Sequence, residues 1–239
     1  MRKTLLFIVC SFISICVLGQ KKVTLEDIWK NYKFYPKGVP GFKSMNDGEH
    51  YTTTKKNDNR IKIYKNSFES GKIVETILDS DDERLLKMGS YKFNLSEDEI
   101  LIATNTESIY RYSSKSFYFI YNTITKTIKS LSNNKVMYAT FSPNGNYIAY
   151  VFDNNLYVYN IRLNKTTQIT SDGHKNKVIN GASDWVYEEE FGLTRAFQWS
   201  GDSDKIAYYK FNESEVKEFS MDIFKGSLYP NQEVFKYPK

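Results

Sequence analysis

A polar turn followed by short apolar strands recurs along this chain, and the recurrence limits its fold more than any other feature. Residues 141–150 (FSPNGNYIAY) align position by position with residues 199–208 (WSGDSDKIAY). Residues 95–103 (LSEDEILIA) form a third copy with one residue fewer, and residues 46–53 form a weaker first copy. We anchor the turns at Asp47, Asp98, Asn144 and Asp202. These anchors are roughly 51, 46 and 58 residues apart, a period typical of propeller blades.

Each repeat has the strand chemistry that a propeller blade requires. Residues 147–152 are predicted to pair with residues 156–161 across a turn at 153–155, and residues 166–170 form a further strand. One blade cannot bury both of its faces, so neighbouring blades must stack. We therefore predict an all-β fold, a partial β-propeller of about four blades over residues 43–239, each blade a four-stranded antiparallel sheet.

The first 19 residues have the pattern of a secretory signal peptide. Arg2 and Lys3 precede an apolar stretch from Leu5 to Leu18, which is too short for an ordinary membrane span, and Gly19 is the expected cleavage point. An uncleaved anchor is the alternative. The pattern predicts export to the periplasm, the cell surface or the medium of a bacterium. Residues 20–42 then form an N-terminal segment with a short helix, capped by Thr24.

Charge and residue usage argue against several classes of function. The 33 Lys and Arg residues exceed the 28 Asp and Glu residues only slightly, and they are spread along the chain, so no nucleic-acid partner is expected. Both cysteines lie inside the signal, and the two histidines, His50 and His174, are not at metal-ligand spacing. The acidic run at 79–83 lacks the glycine of a calcium loop. We therefore predict no metal, no cofactor and no catalytic residue in this chain.

Three adjacent carboxylates, Glu188, Glu189 and Glu190, follow an Asp-Trp-Val-Tyr segment with strand-like composition. Neighbouring carboxylates repel one another, so a fixed cluster is favoured when a cation lies among them, and a substrate ammonium is such a cation. A solvated acidic turn is the alternative interpretation. The motif falls in residues 180–196, an insertion that lengthens the last repeat spacing. Insertions between blades favour a functional interpretation because stacking does not require them.

The acidic segment, residues 184–190 (DWVYEEE), resembles the glutamate motif of the dipeptidyl peptidase IV family of the prolyl oligopeptidase clan. The resemblance continues through residues 199–216 and ends at 237–239. Upstream, residues 110–113 (YRYS), which precede Phe119-Ile120-Tyr121, resemble the family segment that carries a substrate-binding arginine.

The resemblance implies an eight-bladed propeller that caps an α/β-hydrolase domain with serine-protease chemistry. It assigns the free N-terminal ammonium of a peptide to Glu189 and Glu190, and the carbonyl of the second substrate residue to Arg111. The hydrolase domain would lie beyond Lys239, so this chain is expected to be an inactive propeller fragment.

The parent would be a secreted enzyme that releases X-Pro or X-Ala dipeptides, and the resemblance leaves homodimer formation by the parent open. The alternative is a non-catalytic propeller that acts as a scaffold for peptides or a protein partner.

Overall fold

The computed structural model describes residues 22–237, and the signal peptide expected over residues 1–19 lies outside the described part. The chain divides into two compact units, Met1–Val39 and Pro40–Lys239. In the first unit, the predicted short helix is a π-helical turn, Glu26–Lys30. Its N-cap position is Leu25 rather than the predicted Thr24 and has no side-chain cap, although the backbone N–H of Asp27 donates to Thr24 Oγ1 at 3.1 Å.

Three four-stranded antiparallel sheets form most of the second unit, and in each of them the strands follow one another in chain order. The first sheet contains β1 (Lys43–Ser44), β2 (His50–Asn57), β3 (Arg60–Ser67) and β4 (Ile73–Ser80). The second contains β5 (Met88–Phe93), β6 (Glu99–Ser108), β7 (Ser114–Asn122) and β8 (Ile128–Ser130). The third contains β9 (Met137–Phe141), β10 (Tyr147–Phe152), β11 (Asn155–Asn160) and β12 (Lys165–Gln168). The predicted all-β propeller architecture is confirmed.

The fourth repeat forms three two-stranded sheets rather than the predicted four-stranded sheet. Its elements are β13 (Val178–Asn180), helix α1 (Trp185–Phe191), β14 (Phe197–Trp199), β15 (Ile206–Tyr208), β16 (Lys210–Asn212), β17 (Glu218–Ile223) and β18 (Asn231–Lys236). Antiparallel pairs join β13 with β16, β14 with β15, and β17 with β18. The described residues therefore contain three four-stranded blades, followed by the two-stranded sheets of a fourth repeat.

The sheets stack through alternating faces of their strands. In β6, Ile100 and Ile102 belong to a core shared with the first sheet, whereas Leu101 belongs to a core shared with the third. Successive strand residues point to opposite faces, so one strand supplies both cores. A third core joins β10 to β14 through Val151 and Phe197. The expected stacking of each blade on its neighbours is confirmed.

The repeated turn has the same backbone geometry in all four copies. In each copy a backbone N–H donates to the carbonyl three residues earlier, and the donor residue has a positive φ angle: Gly48, Glu97, Gly145 and Ser203. These residues are roughly 49, 48 and 58 apart. The anchor assigned to Asp98 is therefore out of register by two residues, because the position equivalent to Asn144 is Ser96. The first copy, residues 46–53, was weak in sequence but has the same turn geometry as the others, so it belongs to the repeat.

The predicted hairpin of the third blade is confirmed with a shorter turn. Phe152 pairs with Asn155, so the connection contains only Asp153 and Asn154. Both residues have positive φ, 46° and 57°. That combination belongs to the two-residue turn whose twist matches that of paired strands.

Candidate substrate-terminus site

The acidic motif forms a helix, so its interpretation as a strand-like segment was wrong. Helix α1 covers Trp185–Phe191, between β13 and β14. The side chain of Asp184 caps its start by accepting the backbone N–H of Tyr187 at 2.7 Å. Gly192 ends it in the left-handed conformation, φ 63°, and donates to the carbonyl of Glu188 at 3.1 Å. Both cap residues are visible in the sequence, but Trp, Val and Tyr favour strands.

The helical conformation separates the three glutamates, because consecutive residues of a helix do not face the same direction. Glu188 points into the protein, where its side chain is 1% exposed. Glu190 is exposed, and its carboxylate forms no hydrogen bond or ion pair with residues 22–237. The exposure of Glu189 is intermediate, with 26% of its side chain accessible to solvent. The cluster is therefore one buried carboxyl group and two accessible carboxylates.

Arg111 lies beside the helix although it is distant in sequence. Its Nε atom is 3.3 Å from Glu189 Oε2, and the side chains are 68% and 26% exposed. Arg111 belongs to the turn between β6 and β7, in which the N–H of Ile109 donates to the carbonyl of Ser113 at 2.9 Å. The structure thus brings Arg111 and Glu189 into contact, whereas the carboxylate of Glu190, the next residue on the helix, forms no hydrogen bond or ion pair with either of them.

Glu188 connects the helix to the Arg111 turn. Its Oε1 atom accepts the backbone N–H of Tyr112 at 2.7 Å and that of Ser113 at 2.9 Å. The sequence interpretation assigned this glutamate no role, and its burial could not be read from three identical neighbours. Only the fold shows that Glu188 is the buried glutamate of the three.

A cavity of about 380 Å³ lies next to the start of the helix. Its lining includes Tyr110 from the turn, Asp184 and Trp185 from the helix start, and Glu213 and Lys236 from the last strands and their connections. The Trp185 indole donates to the carbonyl of Lys236 at 2.9 Å. Burial raises the pKa of Glu213 to about 7, with a further increase from the charge of Asp184 and an opposing effect of Lys236.

The residues considered for metal binding have protein partners. In the acidic run at 79–83, Asp79 pairs with Arg60 and Lys62, and Asp82 pairs with Arg84. His50 contacts Asp47 at 2.7 Å, and His174 Nδ1 lies 2.8 Å from the carbonyl of Lys175. Across residues 22–237, no three His, Cys, Asp or Glu side chains are arranged to hold a metal ion.

Comparison with known proteins decides the family. The family model of the dipeptidyl peptidase IV (DPP IV) N-terminal region matches residues 94–239, which include Arg111 and the whole acidic motif. The chain belongs to this family.

Relatives of this DPP IV family member include peptidases from several kingdoms. The chain is 30% identical to dipeptidyl aminopeptidase B of Saccharomyces cerevisiae and 28% identical to the human prolyl endopeptidase FAP. Each alignment covers 92% of this chain but only 28% of the relative. The crystal structure of Porphyromonas gingivalis dipeptidyl peptidase 4 superposes with a TM-score of 0.79 at 39% identity, over 92% of this chain and 32% of that one. The chain thus spans about a third or less of the proteins that it matches.

None of the helices within residues 22–237 has the length and apolar character needed to cross a bilayer.

Proposed function

We propose that this chain is the substrate-binding propeller region of an exported serine-type dipeptidyl peptidase. In this proposal Glu189 and Glu190 bind the free N-terminal ammonium of a peptide, and Arg111 binds the carbonyl oxygen of its second residue. The single observation that carries the proposal is the contact of Arg111 with Glu189, at 3.3 Å, beside an exposed Glu190. Membership of the DPP IV family agrees with it.

The chemistry of the site suits a peptide N-terminus. Two carboxylates can accept the N–H bonds of one ammonium group, and hydrogen bonds between ionised groups are shorter and stronger than neutral ones. The guanidinium supplies donors but no acceptor, so it suits a carbonyl oxygen. Because the carboxylates bind the peptide N-terminus at one end of the site, only two residues fit between them and the bond that is cut. Such contacts position the substrate and break no bond.

The catalytic serine, histidine and aspartate are proposed to come from a separate hydrolase domain of the full-length protein. The 239-residue chain alone should therefore release no chromophore from Gly-Pro-anilide. The full-length protein should release it, with Pro or Ala preferred as the second residue. Export is supported by the charged and apolar pattern of the first 19 residues.

The test is steady-state kinetics on the full-length protein with Glu189→Ala and Glu190→Ala. Each change should lower kcat/KM for Gly-Pro-anilide by roughly 10- to 150-fold, the range expected for a lost hydrogen bond to a charged group. Glu215→Ala is the matched control, because Glu215 is exposed and lies outside the acidic motif. The N-acetylated substrate should not be cleaved. Unchanged turnover in both variants would refute the proposal, and peptide binding without cleavage would favour the scaffold alternative.

A further inference from the structure

Glu188 is a buried carboxyl group that contacts a turn 75 residues away in sequence. Its side chain is 1% exposed, and one oxygen accepts two successive backbone N–H groups, those of Tyr112 and Ser113. Removing a buried acceptor leaves its donors unsatisfied, which is more costly than losing a contact at the surface. This tether therefore contributes strongly to the position of the turn.

The tether lies next to the proposed substrate site along both chain segments. Glu188 precedes Glu189 on the helix, and Tyr112 follows Arg111 in the turn. The ion pair between Arg111 and Glu189 therefore lies next to a buried hydrogen bond, in which Glu188 accepts from the backbone N–H of Tyr112. Ion pairs between solvent-exposed groups contribute little to stability, so the pair itself does not hold the turn. The buried hydrogen bonds fix the backbone from which Arg111 projects.

We infer that Glu188 is a positioning residue that sets the separation between the arginine and the ammonium-binding carboxylates. This inference rests on the proposed function, because the separation matters only if both groups bind one peptide. A displacement of about 1 Å in a substrate-positioning group can lower a rate by roughly a hundredfold. Glu188 would then act on specificity through Arg111, without contact with the substrate.

The experiment is a double-mutant cycle on the full-length protein, with Gly-Pro-anilide as substrate. Glu188→Ala should lower kcat/KM by at least about tenfold, and it should do so through Arg111. The double variant with Arg111→Ala should consequently be no less active than Arg111→Ala alone. Glu188→Gln should retain most of the activity, because its amide oxygen can accept both N–H groups. If the two effects multiply, Glu188 has only a general structural role and the inference is wrong.

A second variant and a second measurement cover the case in which Glu188→Ala does not fold. Glu188→Asp keeps the carboxylate but shortens its reach, so it should also lower kcat/KM, and activity equal to wild type would overturn the inference. Amide hydrogen exchange at Tyr112 and Ser113 reports the tether without any substrate. These two amides should exchange at least about tenfold faster in Glu188→Asp. Unchanged exchange would show that no tether exists.

The two readouts distinguish the failure of this inference from the failure of the proposed function. Wild-type protein that releases no dipeptide, or Arg111→Ala with full activity, would refute the proposed function and the role of Glu188 with it, whatever the exchange rates. Active wild-type protein that is sensitive to Arg111→Ala but insensitive to Glu188→Asp would refute the inference alone.

Discussion

Glu213 should make the stability of this protein depend on pH in the neutral range, and Glu213→Gln should remove that dependence. The side chain is 6% exposed. Its pKa rises from 4.5 to about 7, chiefly because burial disfavours the charged form, with a smaller effect from the charge of Asp184. Lys236 opposes the rise, but its amino group donates to the carbonyl of Val216 at 2.7 Å. The carboxyl group therefore has little compensation when it ionises.

The sign follows from proton binding. Between pH 4.5 and pH 7 the folded state binds more protons than the unfolded state, so the free energy of unfolding falls as the pH rises through this window. Each unit of pKa difference corresponds to about 1.4 kcal/mol. The expected loss from this group between pH 5 and pH 8 is roughly 2–3 kcal/mol. Glutamine cannot ionise, so this loss should be absent in Glu213→Gln. The free energy of unfolding of the variant should therefore rise by the same amount relative to wild type between pH 5 and pH 8.

Urea unfolding of the 239-residue chain at pH 5 and pH 8 measures this difference. Glu215→Gln is the matched control, since Glu215 is exposed and only two residues away. Its free energy of unfolding should follow that of wild type at both pH values. The reasoning would be refuted if the difference between Glu213→Gln and wild type were the same at pH 5 and pH 8.

Three further changes test the fold around the site, each measured by urea unfolding. Asp184→Ala removes the cap of helix α1 and should cost about 1 kcal/mol, with a loss of helical circular dichroism; an unchanged midpoint would contradict the capping role. Tyr91→Phe removes the 2.6 Å partner of the buried Thr52 hydroxyl and the 2.6 Å donor to the Gly41 carbonyl, and it should cost about 1–2 kcal/mol; a neutral result would show that the Thr52 hydroxyl replaces Tyr91 as the donor to that carbonyl. Gly181→Ala and Gly48→Ala both place alanine at positive φ, 78° and 71°. Only the added Cβ at Gly181 meets core side chains, at 3.2 Å and beyond, so it should cost about 1–3 kcal/mol more than Gly48→Ala, and equal losses would argue against that close packing.

The blade architecture could be predicted from the sequence because it depends on local chemistry. The turn residues that take positive φ and the alternating apolar strands recur at each copy, and neither requires knowledge of the rest of the fold. Local chemistry led to a wrong prediction at residues 185–187, because their side chains favour strands. The helix caps on either side, Asp184 and Gly192, were given too little weight. Local chemistry also misaligned the turn between β5 and β6 by two residues, because Asp98 resembles a turn anchor more than Ser96 does.

The sequence by itself determined the repeat and the strand pairing of the third blade, and its resemblance to the DPP IV family singled out Glu189, Glu190 and Arg111 as a candidate site. Only the tertiary structure decided which of three identical glutamates is buried, because that depends on the direction in which each helix position faces. It also brought Glu188 to a turn 75 residues away and buried the carboxyl group of Glu213. Burial and long-range hydrogen bonds arise from packing between segments, and no local pattern of residues encodes them.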